Sequence, residues 1–541
     1  MICTHIKRRH ISLRHDDMGR KHNFFKNASK LEEALITPHQ TVSKDSISTT
    51  GRKTYDVCII GAGPHGLAVL SAHCSPSTVV SDAASSIADK NEYSNKKTRP
   101  DQNAFSVCVV DPNGGWLHEW DARLSALDIK CLRSPMMAHP DVYDQEALLR
   151  YAEMHGRLGE LHKPDFTCSC LKGEPMLEAG MFDVPSSSLF LDFCRDLAAT
   201  LPHDFVAARV ESVRKLPGGE YHLGMSDAYP LVQARRVVCA LGLPGQPNIP
   251  SHFQHACWKC DAPERCIYHT SQCDKFDQIS EGENVVVVGG GLSAAQGALL
   301  AVKRGAKRTV MCSRRSLTTR QFDIPLPWLH NAHGRKLRYD FYRVEEHDRL
   351  DWIDRVRGGG SIPQEYMDQL EAARAEGKLE LLVDDIEGLQ GESDECPLAE
   401  SNDSVTMLVK TRAHGTINAT RLILATGSKI ECMSIPLCKH LVEEFGLPVQ
   451  SGLPVLSNDL QWGDEQIFVV GTLAMRQVGP DAANLMGARR AAQLCAWRPG
   501  WHTAQTQDDR VNPGARFTRI FNMAKDKGVR APIQYRRAQC V

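Results

Sequence analysis

The sequence predicts an α/β fold with parallel sheets and two dinucleotide-binding units. Three observations carry this. Two segments read strand, glycine turn, helix: "YDVCIIGAGPHGLAVL" (Tyr55–Leu70) and "ENVVVVGGGLSAAQGALLAVKRGAKRTVMCSRRS" (Glu283–Ser316). Two apolar strands stop at small-residue turns, in "RVVCALGLPGQPNIP" (Arg236–Pro250) and "RLILATGSK" (Arg421–Lys429). Finally, 541 residues are too many for one ordinary core.

In the first unit, Gly61, Gly63 and Gly66 stand at G-x-G-x-x-G spacing, between the β-branched run Val57–Ile60 and a helix running through Leu67–Ala72. The first glycine permits the turn, the second lets a phosphate approach the backbone, and the third lets helix pack on strand. The N–H groups and dipole at the helix N-terminus suit a pyrophosphate. The next strand, "FSVCVVD", ends at Asp111, whose carboxylate suits a ribose hydroxyl. Asp111 lies about twice as far along as the usual ~20 residues. Ser75–Asn103, rich in Ser, Asp, Asn and Lys, accounts for the excess as a surface insertion. Gly114 and Gly115 then allow close backbone approach. Trp116 would cover an adenosine or flavin edge, or would simply pack in its loop.

In the second unit, Gly289, Gly291 and Ala294 give G-x-G-x-x-A after four valines. Alanine at the third position still permits close packing of helix on strand. The following strand, "RTVMC", leads into Ser313-Arg314-Arg315, where an acidic residue would select NADH. Guanidinium groups there suit the additional 2′-phosphate of NADPH. A solvated basic loop is the alternative. Two dinucleotide units in one chain point to a flavoprotein that takes hydride from a nicotinamide.

Composition excludes other classes. With 64 basic and 65 acidic residues, nothing global points to nucleic acid or an anionic membrane. The apolar-looking run Val285–Val302 contains Gly289, Gly290, Gly291, Ser293, Gln296 and Gly297, so it reads as strand, turn and helix rather than a membrane span. Nineteen scattered cysteines favour reduced thiols in a cytoplasmic protein. Residues 1–53 are basic and His-rich without an apolar signal core. They read as a disordered tail or, despite Asp16 and Asp17, an organelle-targeting segment.

The motifs "IGAGPHGLA", "NGGWLHEW", "LRSPMMAHPD", "VVVVGGGLSAAQ", "LATGS" and "GPDAANLMGARRAA" resemble those of two-dinucleotide-fold flavin monooxygenases, nearest the lysine/ornithine N-monooxygenase-like branch. "IYHTSQ" (Ile267–Gln272) resembles their His-Ser/Thr element. The resemblance covers roughly residues 54–500. It implies two Rossmann-like domains, the NADPH domain (248–420) inserted into a split FAD domain (54–247 and 421–500), with a C-terminal tail at 501–541. NADPH would reduce FAD, O2 would add to form a flavin hydroperoxide, and one oxygen atom would pass to a soft nucleophile, first of all an amine. The partners are then a small-molecule substrate and O2, and no acid–base triad or metal is required. Gly471 and Thr472 stand where many relatives carry Gly-Asp, so the threonine hydroxyl or the backbone would serve the flavin ribityl chain. Pro480 suits a first helical turn whose N-terminus either faces the flavin pyrimidine or is an ordinary cap.

Other readings stay open. Cys257 and Cys260 form C-x-x-C followed by Asp261, as in the dithiol of thioredoxin reductases; unpaired loop cysteines and a metal site are the alternatives. A flavin-binding regulatory protein with little turnover is a third class. "FDIPLPWLHNAHGRKLRYDFYR" (Phe322–Arg343) and "RVRGGGSIPQEYMDQLEAARAEG" (Arg355–Gly377) are expected to border the substrate pocket. Neither names a substrate, and oligomerisation is left open.

Overall fold

The computed structural model describes residues 53–74, 105–164, 180–226, 232–242, 246–254, 266–329, 331–390 and 407–496. The N-terminal segment, the Ser75–Asn103 insertion, Cys257 and Cys260, and the C-terminal tail lie outside the described residues.

Ten strands build two parallel sheets among these residues. In chain order they are β1 (Val57–Ile60), β2 (Val107–Val110), β3 (Asp204–Val206), β4 (Val237–Cys239), β5 (Ile267–His269), β6 (Asn284–Val288), β7 (Arg308–Ser313), β8 (Leu379–Val383), β9 (Arg421–Leu424) and β10 (Ile467–Val469). The first sheet has the order β10-β4-β1-β2-β3 and the second β5-β9-β6-β7-β8. Every pairing in both is parallel. The sequences explain this. "VCII" and "VCVV" are apolar at every position and buried at every position, as strands covered on both faces must be.

Four helices matter for the site: α1 (Pro64–His73), α2 (Leu292–Lys303), α3 (Arg349–Arg357) and α4 (Leu485–Cys495). α1 and α2 follow β1 and β6 directly. α4 packs along α1, which is buried on nearly every side. A mixed sheet of Thr54–Tyr55, Val210–Lys215, Tyr221–Met225 and Val232–Ala234 accompanies the first unit. An antiparallel sheet of Ile386–Gln390, Met407–Thr411 and Thr416–Ala419 flanks the second. Among the described residues no helix is long and apolar enough to cross a membrane.

The topology corrects one expected boundary. By sequence, Arg421–Leu424 opens the second part of the first unit. As β9 it lies inside the second sheet, paired with β5 on one side and β6 on the other. A four-residue buried run suits either sheet, and only its pairing decides. Its counterpart β4 likewise belongs to the unit the chain is leaving. The crossings come later: Gln246–Pro247 and Ser428–Lys429 pair antiparallel, so the chain's two passages between units run side by side. Asn248 and Thr426 reinforce them, the Thr426 hydroxyl donating to the Asn248 carbonyl at 2.6 Å.

Candidate functional site

In the first sheet the chain proceeds from β1 outward to β2 and β3, then returns to the opposite side of β1 with β4. The reversal falls at the carboxyl end of β1, where open α/β sheets bind their ligands. The turn Gly61–Gly66 occupies it. Gly61 has φ +112°, and a Cβ there would lie 2.3 Å from the Ala240 carbonyl oxygen. At Gly66 a Cβ would lie 2.0 Å from the Gly61 oxygen. Both glycines are required by the protein's own packing. Gly63 differs, because a Cβ there meets nothing within 4 Å. It is also the N-cap of α1, which has no side-chain cap and no acidic residue in its first turn. The surface beside Gly63 is therefore open to an external anion.

Asp111 sits beside this turn and already accepts two backbone bonds, Oδ2 from Ala62 N at 3.0 Å and Oδ1 from Asn113 N at 2.9 Å. A carboxylate offers about four acceptor sites, so roughly two remain for further donors. Leu117 N also donates to the Ala62 carbonyl at 2.8 Å, tying the 112–117 loop down on the turn. Trp116 is engaged on its own account. Its indole N–H reaches His203 Nε2 at 3.2 Å, and its ring meets His203 and Phe205 edge-on.

Gly471 and Thr472, at the end of β10, come up to the same helix. Gly471 has φ +81°, and a Cβ on it would lie 3.6 Å from the His65 ring. Thr472 is buried. His65, in the first turn of α1, belongs to no motif position read from the sequence. Its Nε2–H donates to the Ala482 carbonyl at 3.0 Å, and its surroundings desolvate the ring and lower its pKa. This bond joins the glycine turn to segment 479–484. That segment departs from expectation: the helix begins at Leu485, so Pro480 lies in a preceding turn and not in the first helical turn. Asp481, fully buried, holds the turn through Arg490 of α4 (Nη1 to Oδ1, 2.9 Å).

The second sheet repeats the geometry. The chain runs β6, β7, β8 and returns beside β6 with β9, so the reversal falls at Gly289–Gly291. Gly289 has φ +150°, and a Cβ there would lie 2.3 Å from the Ala425 oxygen, the same relation that Gly61 has to Ala240. The alanines of "CALG" and "LATG" are therefore the partners of the two glycine turns. Ala294 is buried where α2 starts, and α2 lacks a side-chain cap and a first-turn acid. Arg314 and Arg315 are exposed just after β7 and make no ion pair with a carboxylate among the described residues. Ser313 turns its hydroxyl to the Arg315 carbonyl at 2.8 Å. Beside Gly291, however, the space is taken: a Cβ would lie 3.3 Å from the Gly360 Cα.

A polar junction links the two units. Arg357, at the end of α3, donates to the Pro480 carbonyl at 2.6 Å and pairs with Asp323 at 2.7 Å; Asn484 donates to the same carboxylate at 2.6 Å. Arg133, from the first unit's "CLRSPMM", reaches Arg320, Gln321 and Ser361 of the second. Burial brings the pKa of its guanidinium down to about 10. The segments expected to border a pocket, Phe322–Arg343 and Arg355–Gly377, thus meet the Pro480 turn. Neither Arg133 nor His65 carries a spacing signal, since each acts through contacts distant in sequence. In "IYHTSQ", His269 is buried at the end of β5, its Nδ1 2.9 Å from the Ser271 hydroxyl within a tight local turn.

A family model described as L-lysine 6-monooxygenase/L-ornithine 5-monooxygenase matches residues 182–429. No curated protein matches the chain. Among solved structures, the ornithine N-hydroxylase of Kutzneria sp. 744 is similar at 14% identity and TM-score 0.58, over 82% of this chain and 98% of that one. A cadaverine monooxygenase of Erwinia amylovora, solved with FAD, is similar at 15% identity and TM-score 0.56, over 82% and 94%. The ornithine hydroxylase of Pseudomonas aeruginosa is similar at 16% identity and TM-score 0.56, over 82% and 98%. At these identities the structural likeness establishes the fold, and the family match adds the sequence relationship over its own span. In motifs, in fold and over residues 182–429, the chain resembles the FAD- and NADPH-dependent flavin monooxygenases of the lysine/ornithine N-monooxygenase-like branch.

Proposed function

We propose that the chain is an NADPH-dependent FAD monooxygenase that delivers one oxygen atom of O2 to a soft nucleophile, in the first instance a primary amine. The observation that carries this reading is the paired architecture: two glycine turns, each at the reversal point of its own parallel sheet, in units linked by polar contacts. FAD, once bound, supplies the redox chemistry, accepting hydride from NADPH and reducing O2.

The chain's own residues bind and orient. Gly63 and the uncapped start of α1 receive the FAD pyrophosphate, and Asp111 accepts from ribose hydroxyls. Gly471, Thr472 and the Pro480 turn lie against the same helix, His65 fixing their position relative to it. Arg314 and Arg315 receive the 2′-phosphate of NADPH, and Gly289, Gly291 and Ala294 shape the turn beneath its pyrophosphate. Trp116, held by His203 and Phe205, covers an edge of the adenosine or flavin. The amine class is supported by the family match and by the substrates named for the similar structures.

The test uses purified, flavin-loaded protein. Anaerobic NADPH should bleach the visible flavin band, and a panel of amines should raise product-coupled oxygen uptake. Protein that binds no flavin, or whose flavin NADPH does not reduce, would overturn the assignment.

A further inference from the structure

We propose that the Gly358–Ser361 loop is a lid on the second glycine turn that must lift before a dinucleotide can seat, and that Arg133 of the first unit is the positioning residue that holds it down. The inference rests on the reading that this turn receives NADPH. The two glycine turns differ at one point. The second glycine of such a turn is where a pyrophosphate approaches the backbone. At Gly63 that direction is empty to 4 Å, whereas at Gly291 it is filled by Gly360, whose Cα lies 3.3 Å from a Cβ built on Gly291. The contact is mutual, since a Cβ on Gly360 would lie 3.0 Å from Gly291 Cα and 3.3 Å from its N. Backbone sits where phosphate should.

The loop is built to move between fixed ends. Gly358 caps α3 with φ +64°, and Gly359 follows at φ +80°, so two consecutive residues use backbone freedom that glycine alone has cheaply. Gly358, Gly359 and Gly360 are exposed on their outer side, while Ser361 is 2% exposed. Beyond it Ile362 is anchored by its N–H to the Thr318 carbonyl and by its carbonyl to Arg320 N, both at 2.9 Å. Arg315, expected at the 2′-phosphate, lies over Gly359, its Nη2 2.4 Å from where a Cβ would stand. A coenzyme that draws Arg315 away therefore also uncovers the loop.

The strut comes from the other unit. Arg133 Nη2 donates to the Ser361 hydroxyl at 2.7 Å and to the Arg320 carbonyl at 2.8 Å; Nη1 donates to the Ser361 carbonyl at 3.3 Å, and Nε to the Gln321 carbonyl at 2.9 Å. All four bonds end on the loop or on the extended segment that anchors it. Lifting the loop must break the two to Ser361, so coenzyme entry is sensed in the first unit, at the 131–137 segment.

The sign of the effect separates a lid from a mere support. If only a lifted fraction binds, the apparent dissociation constant is the intrinsic one divided by that fraction. Loosening the lid must then tighten binding, whereas damaging a supporting loop weakens it. The experiment titrates oxidised, flavin-loaded full-length protein with NADP+, following the flavin spectrum and the heat of binding. Arg133→Met and Gly360→Ala should each lower the dissociation constant at least threefold, at unchanged flavin content. Arg133→Lys, which keeps a single cationic donor group, should fall between. Should Arg133→Met fail to fold or lose its flavin, Gly360→Ala decides alone, because it leaves the first unit untouched. A constant unchanged or raised in Gly360→Ala overturns the lid while leaving the coenzyme assignment standing. Absence of NADP+ binding in the wild type and both variants overturns the assignment and the lid together.

Discussion

Gly63→Val isolates ligand from protein at the first turn. The other two glycines cannot do this. A Cβ at Gly61 or Gly66 drives into backbone oxygen at 2.3 or 2.0 Å, so substitution there strains the fold itself. At Gly63 the backbone is extended (φ −82°, ψ −177°), a conformation valine adopts readily, and the Cβ direction is clear. The cost to the apoprotein is that of a poorer N-cap, about 1 kcal/mol. The cost to FAD is larger. A branched side chain keeps the pyrophosphate from the first N–H groups of α1, and each charge-assisted bond forfeited is worth roughly 1.5–3 kcal/mol. Two such losses weaken FAD binding by about 10² to 10⁴-fold. The assay pairs the flavin-to-protein ratio after gel filtration and the quenching of flavin fluorescence on reconstitution with apoprotein melting by circular dichroism. Gly61→Ala serves as the contrast, because it should lower the melting temperature of the apoprotein. Full flavin occupancy in Gly63→Val would refute the reasoning, as would an apoprotein melting shift as large as that of Gly61→Ala.

Arg314→Ala with Arg315→Ala removes two exposed cations that are not paired with carboxylates among the described residues, and should weaken NADPH at least tenfold relative to NADH, which should bind no more weakly than before; equal losses for both coenzymes would place the 2′-phosphate elsewhere. Cys257→Ser with Cys260→Ser should leave NADPH-driven oxygen uptake intact, and a wild-type disulfide reductase activity that vanishes in this variant would establish the dithiol reading instead. His139 is fully buried, and burial together with Arg489 holds its pKa well below the ordinary 6.5, so the unfolded state binds the extra proton as pH falls. The contribution of His139 to stability should therefore be level above about pH 6.5 and decline below it, by about 1.4 kcal/mol one unit lower. His139→Asn should melt with a shallower slope between those two pH values, and an identical slope would show that another group is responsible.

Much of the architecture was legible because parallel strands buried on both faces must be apolar at every position, as "VCII", "VCVV" and "VVVV" are. The glycine turns were legible because G-x-G spacing answers local backbone demands, and the structure supplies their partners, the Ala240 and Ala425 carbonyls. What failed was decided by pairing between distant segments. Nothing in "RLIL" tells which sheet it joins, so the boundary at Arg421 fell on the wrong side. Pro480 reads as a helix start, yet the buried Asp481–Arg490 pair holds a turn there, and the helix waits for Leu485. His65, Arg133 and Ser361 were invisible for the same reason: each acts on a partner far along the chain, Ala482 for His65 and the Arg133–Ser361 bond for the other two. Gly358–Gly360 lies within a segment expected to border the substrate pocket, but only the fold places Gly360 against Gly291.

The central claim is that electrons from NADPH pass through FAD to O2 and that one oxygen atom ends on an amine. The most direct test is turnover under ¹⁸O2 with a panel of primary amines, reading the product by mass spectrometry beside NADPH consumption. A hydroxylated amine carrying one ¹⁸O atom is expected, formed in proportion to NADPH oxidised and absent in Gly63→Val. NADPH oxidation that yields only hydrogen peroxide with every amine, or that proceeds without O2 by reducing a disulfide, would contradict it.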